Sequence, residues 1–265
     1  MATGDLMDEH DSNASSAGDE TTRDLTSLAD STRQIARMRD DWQRDAAFMA
    51  ERRLIHPGMT DRAVLDEFRN LRTRLLQHSK GDNAITLVAG VGGTAGSTLV
   101  ALNLSIAYAL DSAKTALLID CHVQDPRLAR LLDIDVDKGL TDYLVDDSMG
   151  VDAVLYQTGI PRLRLIPAGS HFESSTEFFT SLRMRAFLQS VKQRYPDRFL
   201  IISAPPLDES ADSRILVDLC DQALVVAPYG EVSENRLLEV ANTVGQERLA
   251  GVVLNRVPRP PFSGK

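Results

Sequence analysis

Residues 84–104 read AITLVAGVGGTAGSTLVALNL, and this stretch decides the fold. An apolar run at 85–88 has the length and β-branched content of a buried parallel strand. Gly90-Val91-Gly92-Gly93-Thr94-Ala95-Gly96-Ser97-Thr98 follows, then Leu99, Leu102, Leu104 and Ile106 at helical spacing. Strand, glycine loop, helix is the setting of a phosphate-binding loop. Glycines let backbone N–H groups face an anion, and the helix N-terminus adds about half a positive charge. Such a loop ordinarily ends in Gly-Lys-Ser/Thr, whereas this one ends in Gly96-Ser97-Thr98. An alcohol stands where a fixed positive charge on the phosphates is expected. Weak anion or nucleotide binding through backbone groups, and an empty loop kept for folding, both fit this pattern.

Composition bounds the rest. The 265 residues are 43% apolar, enough for one sizeable core with or without a helical extension. No run of about 18 apolar residues occurs, so no membrane span is expected. The first residues lack the basic and apolar regions of a signal peptide. Cys121 and Cys220 are too few for a disulfide framework and point to a reduced cytoplasm. Of the formal charge of −9, residues 1–30 supply −7 through eight acids and one arginine. A near-neutral body with an acidic tail argues against nonspecific nucleic-acid binding.

In chain order, 1–30 is predicted to be a disordered acidic tail, too poor in apolar side chains to offset its ordering entropy. A helical extension is expected over 31–80. Its first part, 31–54, carries Ile35, Met38, Trp42, Ala46 and Met49 at steps of three and four, the signature of an amphipathic helix. That stripe packs on its own domain or, carrying the only tryptophan, docks a partner. Thr60 is expected to cap a second helix with Val64, Leu65, Phe68, Leu71 and Leu75 on its buried side. Asp66, Arg69 and Arg72 then form one ridge, either a solvated face or a contact surface.

Beyond the loop, strands are expected near 115–119, 163–166, 199–202, 223–227 and 251–254. Helices are expected at 126–132, from 139 onward, at 181–195 and at 234–244. This alternation predicts a doubly wound, mostly parallel α/β sheet over 81–258, with a flexible tail at 259–265. Ligands in such sheets sit beyond the C-terminal strand ends, where Gly96, Asp120 and Ser203 all lie.

With these residues in place, the chain resembles the bacterial tyrosine kinases of capsule and exopolysaccharide synthesis. These belong to the deviant phosphate-loop group that also holds the ParA and MinD ATPases. The landmarks run from Asp66-Glu67-Phe68-Arg69-Asn70-Leu71-Arg72-Thr73 through the glycine loop with Asn103-Leu104 to Leu118-Ile119-Asp120. They continue with Pro126-Arg127-Leu128, Gly139-Leu140, Pro167-Ala168-Gly169, the stretch 199–206 and Gly251-Val252-Val253-Leu254-Asn255-Arg256. The resemblance implies a phosphate-loop NTPase fold and a nucleotide site at Gly92, Gly93, Gly96, Ser97, Thr98 and Asp120, with Asn255 near the base.

It also implies three losses. The family's loop lysine, the second carboxylate of its Asp-x-Asp strand end and the aspartate before its Pro-Pro pair fall on Ser97, His122 and Ser203. Phosphoryl transfer rests on positioning and electrostatics, and removing one such charge-stabilising group typically costs about two to three orders of magnitude in rate. Magnesium would keep only Asp120 and Thr98 as direct ligands. The family's tyrosine-rich tail is absent too, since Tyr108, Tyr143, Tyr156, Tyr195 and Tyr229 are scattered.

The expectation is therefore a noncatalytic cytoplasmic component of an exopolysaccharide, capsule or surface-adhesin polysaccharide system, with ATP and magnesium as cofactors only if the altered site still binds them. The resemblance implies an inner-membrane co-polymerase of the Wzz type as partner, and ring-like self-association through the helix of Asp66, Arg69 and Arg72. An active tyrosine autokinase with unusual groups and a ParA/MinD-like positioning ATPase are the alternatives. Two further constellations are weaker. Cys121-His122 as a metal site is disfavoured because adjacent strand residues point oppositely. Ser97, Ser203 and His122 as a hydrolase site lack a G-x-S-x-G elbow.

Overall fold

The computed structural model describes residues 41–171, 175–195 and 197–258. The acidic tail 1–30, Ile35 and Met38 of the expected stripe, and the tail 259–265 lie outside the described residues. The elements begin with α1 (Ala46–Glu51), α2 (Arg62–His78), β1 (Ile85–Gly90), α3 (Ser97–Ala109), β2 (Thr115–Asp120), α4 (Leu128–Leu131) and α5 (Leu140–Val145). After a 3₁₀ turn at Val151–Val154 come β3 (Tyr156–Gln157), β4 (Leu163–Ile166), α6 (Ser175–Thr180), α7 (Leu182–Arg194), β5 (Arg198–Ala204), α8 (Ala211–Leu219), β6 (Gln222–Pro228), α9 (Glu234–Val244) and β7 (Leu249–Asn255).

The strands form one sheet in the order β3-β4-β2-β5-β1-β6-β7. Only the two-residue β3 runs antiparallel to its neighbour. β1, β2, β5 and β6 are buried at every position, which is why they read as continuous apolar runs rather than alternating ones. Alternation nevertheless sorts their side chains. Leu117, Ile119, Leu200 and Ile202 join one core with α7 and α8, whereas Ala116, Leu118, Phe199 and Ile201 join the other with α2 and α3.

α3 is buried on nearly every side, which accounts for its lack of a polar face. Its Asn103 staples the incoming chain: Oδ1 accepts from Ile55 N at 2.8 Å and Nδ2 donates to Arg53 O at 3.1 Å. Leu54 and Ile55 are thereby sunk into the same core as Leu102 and Leu104. At the far end of α3, Tyr108 stacks on Phe199 with ring centroids 4.4 Å apart.

A second junction sits where β4 ends. Leu140 N donates to Pro167 O at 2.8 Å and Thr141 N to Ala168 O at 3.0 Å, so the start of α5 is stitched to the 167–169 backbone. A Cβ on Gly139 would stand 2.3 Å from Pro167 O and 2.4 Å from Gly169 N. The buried Asp142 carboxylate closes the junction, accepting from Gly139 N at 2.8 Å, Ser170 N at 3.1 Å and Ser170 Oγ at 2.5 Å.

Several expectations need correction. Among the described residues, the 31–54 stretch is helical only over Ala46–Glu51, and Trp42 precedes that helix. α2 takes Asp61 rather than Thr60 as its N-cap residue, and Val64 is exposed instead of lying on the buried side. β3, α6 and α8 were not expected. β3 and α6 are too short to establish a period, and α8 buries only Ser213, Leu216 and Val217.

Candidate functional site

The glycine loop leaves the C-terminal end of β1 and turns into α3. Gly96, the N-cap residue of α3, has φ of 76°. This left-handed conformation costs an L side chain about 1–2 kcal/mol. Asn255, the last residue of β7, reaches across the loop: its Nδ2 donates to Ala95 O at 2.9 Å, and a Cβ on Gly96 would stand 2.7 Å from that nitrogen. Backbone contacts fix the rest of the loop. Val91 N donates to Val226 O at 2.9 Å, Ala95 N to Gly92 O at 3.3 Å and Leu207 N to Gly90 O at 2.9 Å. The loop therefore keeps a defined shape, and Ser97, the first residue of α3, is buried.

The charged groups around the loop come from elsewhere in the chain. Gly92 N donates to Asp208 Oδ1 at 3.0 Å. Asp208 Oδ2 in turn accepts from Arg236 Nε at 2.6 Å and pairs with Nη2 at 2.5 Å. Arg236 also lies 3.5 Å from Glu209, and Thr94 Oγ1 donates to Glu231 at 3.3 Å. Neither Asp208 nor Arg236 was singled out from sequence. The cue was Asp208-Glu209 two residues past Pro205-Pro206, at the strand end where ligands sit.

The floor of the site is the paired ends of β2 and β5, where Asp120 stands beside Ser203. Asp120 is 1% exposed. Its Oδ1 accepts from His122 N at 3.0 Å and its Oδ2 from Leu128 N, the first residue of α4, at 3.2 Å. Its role here is to cap a turn and a helix start. His122 Nδ1 lies 3.3 Å from Asp120 Oδ1 and 3.5 Å from Ser203 Oγ.

That geometry disposes of a hydrolase reading. A Ser-His-Asp relay needs one imidazole nitrogen for the acid and the other for the serine. Here both face the same nitrogen. Cys121 is wholly buried in the core while the His122 side chain lies at the strand end beside Ser203. Burial, reinforced by the neighbouring Asp120, pushes the Cys121 thiol well above its ordinary range. Among the described residues no group of three or more His, Cys, Asp or Glu side chains is placed to hold a metal ion.

A cavity of about 990 Å³ adjoins the loop, walled by Gly96, Leu99, Val100 and Asn103 on one side and by Ala46, Leu54, Met59 and Phe68 on the other, with Asn255 and Arg256 at its edge. The residues expected to bind nucleotide thus gather at two places. Gly92, Gly93, Gly96, Ser97, Thr98 and Asn255 belong to the loop, and Asp120 belongs to the floor.

The expected contact residues divide. Asp66 and Arg69 are exposed and pair with each other at 3.1 Å. Arg72 is drawn inward, its Nη1 donating to Ala107 O at 2.8 Å near the C-terminus of α3, so it is not a free third member of the ridge. Trp42 lies against Gly159, where a Cβ would stand 1.9 Å from the indole, and Arg44 stacks over its ring at 4.3 Å. Trp42 as a whole remains 39% exposed.

Comparison with known proteins starts from this geometry. No protein-family model and no curated protein matches the chain. Solved structures do match. The kinase domain of the Escherichia coli tyrosine kinase ETK superposes with a TM-score of 0.69 at 21% identity, covering 87% of this chain and 90% of that one. The VpsO kinase domain gives 0.64 at 24% identity, covering 75% and 98%. The chain shares with these domains an α/β phosphate-loop fold built on a seven-stranded, mostly parallel sheet. The cell-division ATPase MinD of Pyrococcus furiosus superposes with a TM-score of 0.55 at 21% identity, over 68% of this chain and 74% of that one. Among the described residues no helix is long and apolar enough to cross a membrane.

Proposed function

We propose that this chain is a noncatalytic counterpart of the bacterial tyrosine kinases, acting in exopolysaccharide, capsule or surface-adhesin polysaccharide synthesis as partner or regulator of an inner-membrane co-polymerase of the Wzz type. The observation that carries this reading is the floor of the site. Asp120, the one retained carboxylate, has both oxygens engaged by backbone amides, and its neighbours are His122 and Ser203. Magnesium takes hard oxygen ligands in a strict octahedron, and a capped carboxylate beside an imidazole does not supply them. The loop adds no lysine, and one of its amides already faces a carboxylate. Magnesium-ATP does not fit these residues as they stand. The fold likeness and the order of landmarks support the pathway assignment. The exposed Asp66–Arg69 pair and Trp42 are the surfaces a partner or a second copy would use.

Incubation of the purified chain with labelled ATP and magnesium, with phosphotyrosine and phosphate release as readouts, tests the reading. The expected signal equals that of an Asp120→Ala variant shown to be folded. Phosphotyrosine well above that control would establish an active autokinase, and phosphate release without phosphotyrosine would establish a positioning-type ATPase.

A further inference from the structure

We propose that the glycine loop is occupied by an anion of the protein's own, the Asp208 carboxylate, and that Arg236 is the loop's cation, held in reserve by that same carboxylate. The two contacts on Asp208 are separate and use different oxygens: Oδ1 faces Gly92 N–H at 3.0 Å and Oδ2 faces the Arg236 guanidinium at 2.5–2.6 Å. The carboxylate cannot swing away without losing both. The turn that carries it is fixed to the loop by Leu207 N donating to Gly90 O at 2.9 Å, with Leu207 itself buried. Arg236 comes from the first turn of α9, and its Nη2 would lie 3.7 Å from a Cβ on Gly92. Guanidinium is the cation best shaped for phosphate oxygens.

Charge decides which occupant wins. A phosphate approaching Gly92 meets Asp208 first, with Glu209 and Glu231 behind it, and like charges in partly desolvated surroundings repel strongly. Asp208 is only 15% exposed, so solvent screens it poorly, whereas Glu209 and Glu231 stand about half exposed and are screened. The loop thus excludes phosphate through Asp208 in addition to lacking a lysine. Once Asp208 is removed, Arg236 is left beside an anion-binding loop with no partner on its Nε.

Binding of ATP and of inorganic pyrophosphate to the full chain, by calorimetry at low salt, reads this directly. The wild type is expected to bind neither below millimolar concentration. Asp208→Ala should bind pyrophosphate at least tenfold more tightly, and Asp208→Asn, which keeps an oxygen for Gly92 N–H but loses the charge, should gain less. Asp208→Ala with Arg236→Ala should lose the gain. A Ser97→Lys variant should stay weak alone and bind tightly only with Asp208→Ala. Micromolar binding by the wild type, no gain in a folded Asp208→Ala or Asp208→Asn protein, or equal binding by Ser97→Lys with and without Asp208 would overturn the proposal. Survival of the gain without Arg236 would remove the arginine's part in it. The readout is binding, so no gain in a folded Asp208→Ala protein alongside a wild type that forms no phosphotyrosine would defeat this proposal alone, whereas phosphotyrosine formation by the wild type would count against both.

Discussion

The glycine loop and the Gly139–Gly169 junction are both glycine turns at the C-terminal edge of the sheet, and they are held in opposite ways. At the junction, backbone meets backbone: a Cβ on Gly139 collides with Pro167 O and Gly169 N, which cannot move without unpicking α5 from β4. At the loop, the atom nearest a Gly96 Cβ is the movable end of the Asn255 side chain, and the charges at Gly92 are side chains from 205–210 and α9. The junction maintains the fold, and the loop displays a surface whose chemistry can be exchanged without touching the backbone. Catalytic groups can therefore be replaced at the loop while the sheet stays intact.

The largest expected effect tests the locked half. Gly139→Ala should lose about 3 kcal/mol, the upper end of what overpacking costs, because the obstructing atoms are backbone, or fail to fold at all; urea unfolding measures it. Gly96→Ala should cost less, about 1–2 kcal/mol for the left-handed backbone, because the Asn255 amide can retreat. Equal costs would show the loop to be as rigid as the junction and break the comparison. The smallest effect concerns the floor beneath the loop. Cys121 and Cys220 are buried, Cys121 completely, and their thiols are pushed above the ordinary value of 9.0, chiefly by burial. Their contribution to stability is complete below pH 9 and is lost as pH rises beyond it, because the unfolded thiols ionise first. At pH 8 a thiol reagent should label both only as fast as the chain unfolds globally. Fast labelling of Cys121 alone would mean that the floor opens locally.

The fold was legible because its strands are buried on both faces and announce themselves as apolar runs. The glycine loop and the landmarks at Asp120, Gly139 and 167–169 gave the order. What stayed hidden depends on distance in sequence. Arg72 reads as the third member of a charged ridge until Ala107 O is known to lie beside it. Trp42 reads as a helical stripe residue because the stripe's period says nothing of Gly159, against which the indole lies. Asp208 and Arg236 are 28 residues apart and meet over a loop more than a hundred residues earlier, so no local pattern could reveal them. Ser97, His122 and Ser203 were readable by position, but the shared contact of Asp120 and Ser203 on one imidazole nitrogen was not.

The seat of Trp42 has an optical consequence. It is the chain's single tryptophan, with its ring against Gly159 and a guanidinium stacked over it. Intrinsic emission excited at the red edge of the absorption band therefore comes from one seam, where 41–44 meets the β3–β4 turn and Arg44 N donates to Gly159 O at 2.8 Å. The protein carries a site-specific fluorophore at this seam, reporting whether residues 41–44 are seated against the β3–β4 turn without any label being attached.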